Sequence, residues 1–184
     1  MPDDSAITGP PGVRSDKRPG SPLAGLYGHP IHPILVTIPI GAWIASLVFD
    51  IASQVVDDGA QGYREGAELL VAVGIIGAVL AALWGFLDYL RIEKGTPAHR
   101  TAVTHFIIND VVLVAFIVSW IIRRNVDDES TPGGLIVLSA VALALLGFSG
   151  WLGGKLAYRY GVRVADEVTQ SEGFDGVSRR AGSR

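Results

Sequence analysis

The 184-residue chain contains no cysteine. That absence excludes disulfides, thiolate zinc sites, cysteine-ligated iron–sulfur clusters, thioether-attached haem and lipid attachment at cysteine together. Any metal must be held by His, Asp, Glu or neutral oxygen. Charge is scarce as well: 18% of the residues are charged, the net charge is −3, and no basic run crosses the body of the chain. Phosphate backbones call for clustered Lys and Arg, so nucleic acid is excluded as a partner. A Gly-rich phosphate loop, a G-x-S-x-G elbow, an H-E-x-x-H pair and a nucleophile beside a base are missing too. The opening MPDDSAITGPPGVRSDKRPGSP lacks the basic start and apolar core of a secretory signal. Residues 1–27 are expected to form a disordered, solvated tail, and residues 165–184 another.

What the chain has in abundance is apolar side chain, at 49% of residues. A membrane helix needs about 20 mostly apolar residues. Four segments qualify and predict helices over about 33–56, 67–90, 101–122 and 133–158. The third carries His105, Asn109 and Asp110. A central Asp costs about 3 kcal/mol on the insertion scale, while roughly a dozen Ile, Val, Leu and Phe return about 5 kcal/mol, so insertion still wins. Small residues recur at helix-packing spacing in Gly77, Ala81 and Gly85, and again in Ala140, Ala144, Gly147, Gly150 and Gly154.

Orientation follows from the fifteen Lys and Arg. Arg14, Lys17, Arg18, Arg91, Lys94, Arg100, Lys155, Arg159, Arg163, Arg179, Arg180 and Arg184 fall on one side, against Arg64, Arg123 and Arg124 on the other. The positive-inside rule then sets both termini in the cytoplasm. The expected fold is an all-α membrane protein, an antiparallel four-transmembrane-helix bundle over residues 28–164, with short loops and no soluble domain outside it.

In that topology every histidine maps to one end of the bundle. His29 and His32, in GHPIHP, stand at the mouth of the first helix; His99 and His105 stand before and just inside the third. These four are candidate ligands for haem or a metal, with Asp88 as a carboxylate able to orient an imidazole. Asn109 lies one turn beyond His105. Asp110 lies roughly 13 Å into the span, near the midplane, where an ionisable group must face the protein interior and is a candidate for proton handling. Asp50 lies about 25 Å along the first helix and is expected at the far interface.

The stretches GHPIHPILVTIPIGAWIASLVFD, WGFLDY, AHRTAVTHFIIND with SWIIRR, and GWLGGKLAYRYGVRV resemble, in order, the bacterial four-helix membrane proteins of the domain of unknown function 2231 family. The likeness runs from about residue 28 to residue 164. It implies a multi-pass inner-membrane protein. In some relatives a similar module precedes a Rieske domain, which implies a redox or respiratory setting; this chain has none of the cysteines such a centre needs, and Thr37 stands where relatives often carry Asp or His.

Three readings stay open. One is a non-catalytic membrane module or partner subunit in which the histidines and Asp110 form a satisfied polar network. Another is an electron-transfer module holding b-type haem or a metal through the histidines, with a separate redox partner protein. The last is a proton or ion pathway through Asp110. Four helices with one midplane acid are too few for the usual inverted-repeat transporter, so that pathway requires a homo-oligomer in the lipid bilayer.

Overall fold

The computed structural model describes residues 9–126 and 128–174; residues 1–8 and 175–184, the outer parts of the two expected tails, lie outside the described residues. Among the described residues four helices are long and apolar enough to cross a membrane: α1 (His32–Val55), α2 (Ala60–Tyr89), α3 (Pro97–Arg123) and α4 (Gly133–Arg159). Their outward faces carry exposed apolar side chains such as Leu69, Ile76, Val111, Val114, Val137 and Val141, as lipid contact requires.

Local chemistry sets the ends. In α1 the helical run is interrupted at Val36. Pro39 has no N–H to return to the Leu35 carbonyl, which removes a hydrogen bond at that turn. α2 begins at Ala60, after Gly59 at φ +81°, and so starts earlier than the apolar pattern predicts. Its added turns are polar, and hydropathy does not register them. α3 also starts early, because Thr96 accepts the His99 N–H at 3.1 Å as an N-cap and Pro97 fits the first turn. The last turn of α4, Lys155–Arg159, widens into π-helix.

The helices pack mainly as two hairpins, α1 against α2 and α3 against α4, with thinner contacts between the pairs. The hairpins repeat one another. Pro39, Trp43, Ser46 and Asp50 are buried on α1, and Val112, Phe116, Ser119 and Arg123 are buried on α3 at the same spacing. Ala67, Val71, Gly74 and Ala81 on α2 match Leu135, Ser139, Ala142 and Ser149 on α4 in the same way. His32 and His105 occupy equivalent positions in this register, as do Gly85 and Gly153. The matched residues meet across the centre. Trp43 stacks on Phe116 with centroids 4.1 Å apart, amid Val71, Val112 and Ala142. Gly74 is required there, since a Cβ would strike the Trp43 indole.

Asp50, expected at the interface, is fully buried. Arg123 grips it with two parallel hydrogen bonds, Nη1 to Oδ1 at 2.6 Å and Nη2 to Oδ2 at 2.7 Å. The Thr131 hydroxyl donates to Oδ1 at 2.8 Å, and Arg123 Nε donates to Ser119 Oγ at 3.2 Å. The pair is therefore desolvated and almost fully hydrogen-bonded, the condition under which a buried ion pair persists.

The other end is closed by the chain's own flanks. The sequence reading makes residues 1–27 a tail, but from Pro10 onward the described part is folded against the bundle. Short turns at Ser15–Lys17 and Pro22–Ala24 lead into a hairpin of β1 (Gly25–Leu26) and β2 (His29–Pro30). The Arg163 N–H donates to the Asp16 carbonyl at 2.9 Å, Arg14 Nη2 donates to the Tyr160 carbonyl at 2.7 Å, and the Trp84 indole donates to the Leu23 carbonyl at 2.7 Å. On the C-terminal side Asp166 caps α5 (Glu167–Ser171) and accepts the Tyr27 hydroxyl at 2.6 Å. That hydroxyl, with Thr169, holds the Asp166 carboxyl below the usual carboxylate range; burial first and Asp166 second hold the Tyr27 hydroxyl above its own.

Two outcomes are expected. Asp50→Ala strands a buried guanidinium and lowers stability in detergent by about 3–5 kcal/mol, whereas Asp50→Leu with Arg123→Met recovers most of the loss, as read by thermal unfolding. For the clamp, the Asp166 contribution is complete above about pH 4 and lost as the pH falls through the lowered value; the Tyr27 contribution is complete below about pH 10 and lost as the pH rises through the raised one. Amide exchange near Tyr27 and Asp166, corrected for the intrinsic rate, should be flat between those limits, and Asp166→Asn should remove the acid branch.

Candidate functional site

Between the Trp43–Phe116 stack and the terminal cap, the four helices enclose a crevice of about 480 Å³. Its walls are largely apolar, from residues such as Val36, Ile40, Ala78, Leu113 and Leu146. Its polar groups are few: His32, His105, Asn109, Asp110, Tyr89 and Tyr158, and Asp88 with Arg163 at the cap. A mostly apolar concavity with a small number of convergent polar groups is the usual form of a small-molecule site.

Helix α1 brings His32 across to α2. Its Nδ1 lies 2.8 Å from the Ala81 carbonyl, and the ring rests on Gly85, where a Cβ would come within 2.9 Å of it. Helix α3 brings His105 to α4 in the same manner. Its Nδ1 lies 2.8 Å from the Ser149 carbonyl, and the ring rests on Gly153, where a Cβ would stand 3.2 Å away. In both cases the carbonyl precedes the glycine by one turn. A carbonyl only accepts, so each bond requires a proton on Nδ1 and leaves the Nε2 lone pair on the opposite edge of the ring.

His105 has additional neighbours. The Ser149 hydroxyl lies 2.9 Å from Nδ1, and Asn109 Nδ2 lies 3.1 Å from Nε2. That amide nitrogen has only two hydrogens, and it is also 2.8 Å from both the His105 carbonyl and Ser149 Oγ. Those two shorter contacts use its donors, so His105 Nε2 keeps its lone pair. His32 Nε2 has no hydrogen-bond partner among the described residues.

The remaining candidates separate. His29 is exposed on the β-hairpin, its Nδ1 3.3 Å from the Tyr27 carbonyl and outside the crevice. His99 lies at the start of α3, with Nε2 3.0 Å from the Tyr89 hydroxyl. Asp88 does not orient an imidazole; it forms an ion pair with Arg163, Nε to Oδ1 at 2.7 Å. Asp110 lies on the crevice wall beside Asn109, and its carboxylate makes no hydrogen bond among the described residues. Among the described residues no group of three or more His, Cys, Asp or Glu gathers as a metal site.

Sequence reasoning missed Ser149, Arg163 and the Asp50–Arg123 pair. One signal was present for the imidazole pair: histidine, aromatic, serine and charged residue recur at identical spacing on α1 (His32, Trp43, Ser46, Asp50) and α3 (His105, Phe116, Ser119, Arg123).

The arrangement makes a measurable statement about tautomers. Ring ¹⁵N shifts at neutral pH should report Nδ1–H forms for His32 and His105, and Gly85→Ala should displace the His32 signal while leaving that of His105 in place.

A family model described as a predicted membrane protein, DUF2231, matches residues 28–166. No curated protein and no solved structure gives a significant match.

Proposed function

The chain belongs to the DUF2231 family of predicted membrane proteins, and from its geometry we propose that it is a cofactor-holding membrane module in which His32 and His105 would hold a b-type haem. The observation that carries this reading is the matched presentation of the two imidazoles. Each has its Nδ1 fixed by a helix carbonyl and its ring seated on a glycine in one shared crevice; Nε2 is unpartnered at His32 among the described residues and has only the Asn109 amide nitrogen, 3.1 Å away, at His105. Two nitrogens leave a bare transition metal short of donors, whereas a porphyrin supplies four of its own. The apolar walls suit the macrocycle.

When bound, the haem supplies a one-electron redox centre. The chain's residues do the rest. The Ala81 and Ser149 carbonyls fix ring orientation and raise the basicity of Nε2, as outer partners of metal-bound imidazoles do. Apolar side chains limit water, which tunes the potential. Asp110 offers a carboxylate on the crevice wall that can take a proton when the charge of the occupant changes.

A module of this kind has no substrate of its own and passes electrons to a separate protein in a redox or respiratory setting. We place it in the bacterial inner membrane as an antiparallel bundle with both termini cytoplasmic. The basic residues of the cap and of the loop between α2 and α3 support that orientation; at the far end Arg123 is neutralised in its ion pair, and among the described residues Arg64 and Arg124 are the cations there without a carboxylate partner.

The cofactor-free alternative, a partner subunit, draws support from the closed set of bonds among His105, Asn109 and Ser149. Absorbance decides between them. Protein purified after haem-supplemented expression should show a Soret band with low-spin features, and His32→Ala and His105→Ala should each convert it to a high-spin or absent spectrum. A colourless protein that also fails to take up hemin in detergent overturns the proposal.

A further inference from the structure

Arg163 is the most constrained residue of the cap. It sits at φ +58°, a left-handed conformation that a residue with a Cβ adopts at a cost. Its side chain is 4% exposed and lines the crevice. The N-terminal segment grips it twice: its backbone N–H donates to the Asp16 carbonyl at 2.9 Å and its Nη2 donates to the Ala24 carbonyl at 2.9 Å. Nε faces Asp88. Nη1 is buried and has no partner. A guanidinium has five donors in a rigid fork, and a buried donor left unmade costs free energy. A strained backbone therefore holds a partly satisfied cation at the rim of an otherwise apolar cavity.

We propose that Arg163 Nη1 is the receptor for a carboxylate of the crevice occupant, and that this bond locks the N-terminal segment over the filled site. The inference rests on the cofactor reading above and names the group that anchors its edge: a propionate of the porphyrin. Charge agrees with this. Asp88 offsets one positive charge only in part, through a single contact, and no second carboxylate pairs with Arg163 among the described residues. Geometry agrees too, because Arg163 lines the crevice while its Nη2 holds the Ala24 carbonyl of the cap. A carboxylate at Nη1 fixes the plane of the fork and so steadies the bond at Nη2. Occupancy and cap closure are thereby one equilibrium, in which each favours the other.

The test compares hemin with its dimethyl ester, in which both carboxylates are neutral, by absorbance titration of the full chain in detergent. Wild type should bind hemin about tenfold or more tightly than the ester, as a charge-assisted hydrogen bond predicts. Arg163→Gln should lower hemin affinity by more than ester affinity and so close most of the gap between the two; Arg163→Lys, which keeps the charge beside Asp88 but loses the fork, should lie between. Hydrogen exchange over residues 14–27 should slow on adding hemin to wild type and not to Arg163→Gln. Equal weakening of both ligands, or of neither, overturns this inference while leaving the cofactor reading intact, provided His32→Ala still changes the spectrum. If wild type binds neither hemin nor ester, both proposals fall.

Discussion

The ion pair of Asp50 with Arg123 is the constraint on which the arrangement depends. Both partners sit on membrane-length helices with no water at hand, and each is tolerable there only because the other is within hydrogen-bonding reach. One belongs to the first hairpin and the other to the second, so satisfying them fixes the position of one hairpin against the other. Once that register is set, Trp43 meets Phe116 at the centre, and His32 and His105 face the same space toward the opposite end. Polar satisfaction at one end thus determines what is aligned at the other.

The crevice exists because packing is tight within each hairpin and thinner between them. Glycine does different work along α2. At Gly74 it admits the Trp43 indole into the core, and at Gly85 it admits an imidazole whose outer edge remains available. The cap then closes the open end with backbone carbonyls, arginines and one tyrosine–aspartate bond beside the small apolar cluster of Ile92, Ala102 and Val162. Such a closure is reversible at modest cost, since each of its bonds exchanges readily with water.

The four spans were legible in the sequence because hydropathy reports the length of an apolar run directly. Helix starts were less so: residues 60–66 and 97–100 are polar, and only the Thr96 cap with Pro97 hinted at one of them. The N-terminal segment read as disordered because Pro, Gly and charge mark loops and disorder alike, whereas its folding depends on carbonyls that accept from the distant Arg163 and Trp84 and on Arg14, which donates to the Tyr160 carbonyl. Asp50 was placed by distance along its own helix, a measure blind to Arg123 seventy-three positions away in sequence. The two crevice histidines were among the four candidates, but nothing in a count of residues separates His32 from His29 three positions earlier; the turn of the chain between hairpin and helix does that.

The repetition of buried positions across the two hairpins has a consequence for assembly. Two copies of the first half would set Asp50 against Asp50, and two copies of the second would set Arg123 against Arg123, each an uncompensated like-charge contact in hydrocarbon. Neither half is therefore fit to pair with itself, although each is shaped to receive the other. The covalent link between them is matched by charge, the buried carboxylate of one hairpin meeting the buried guanidinium of the other.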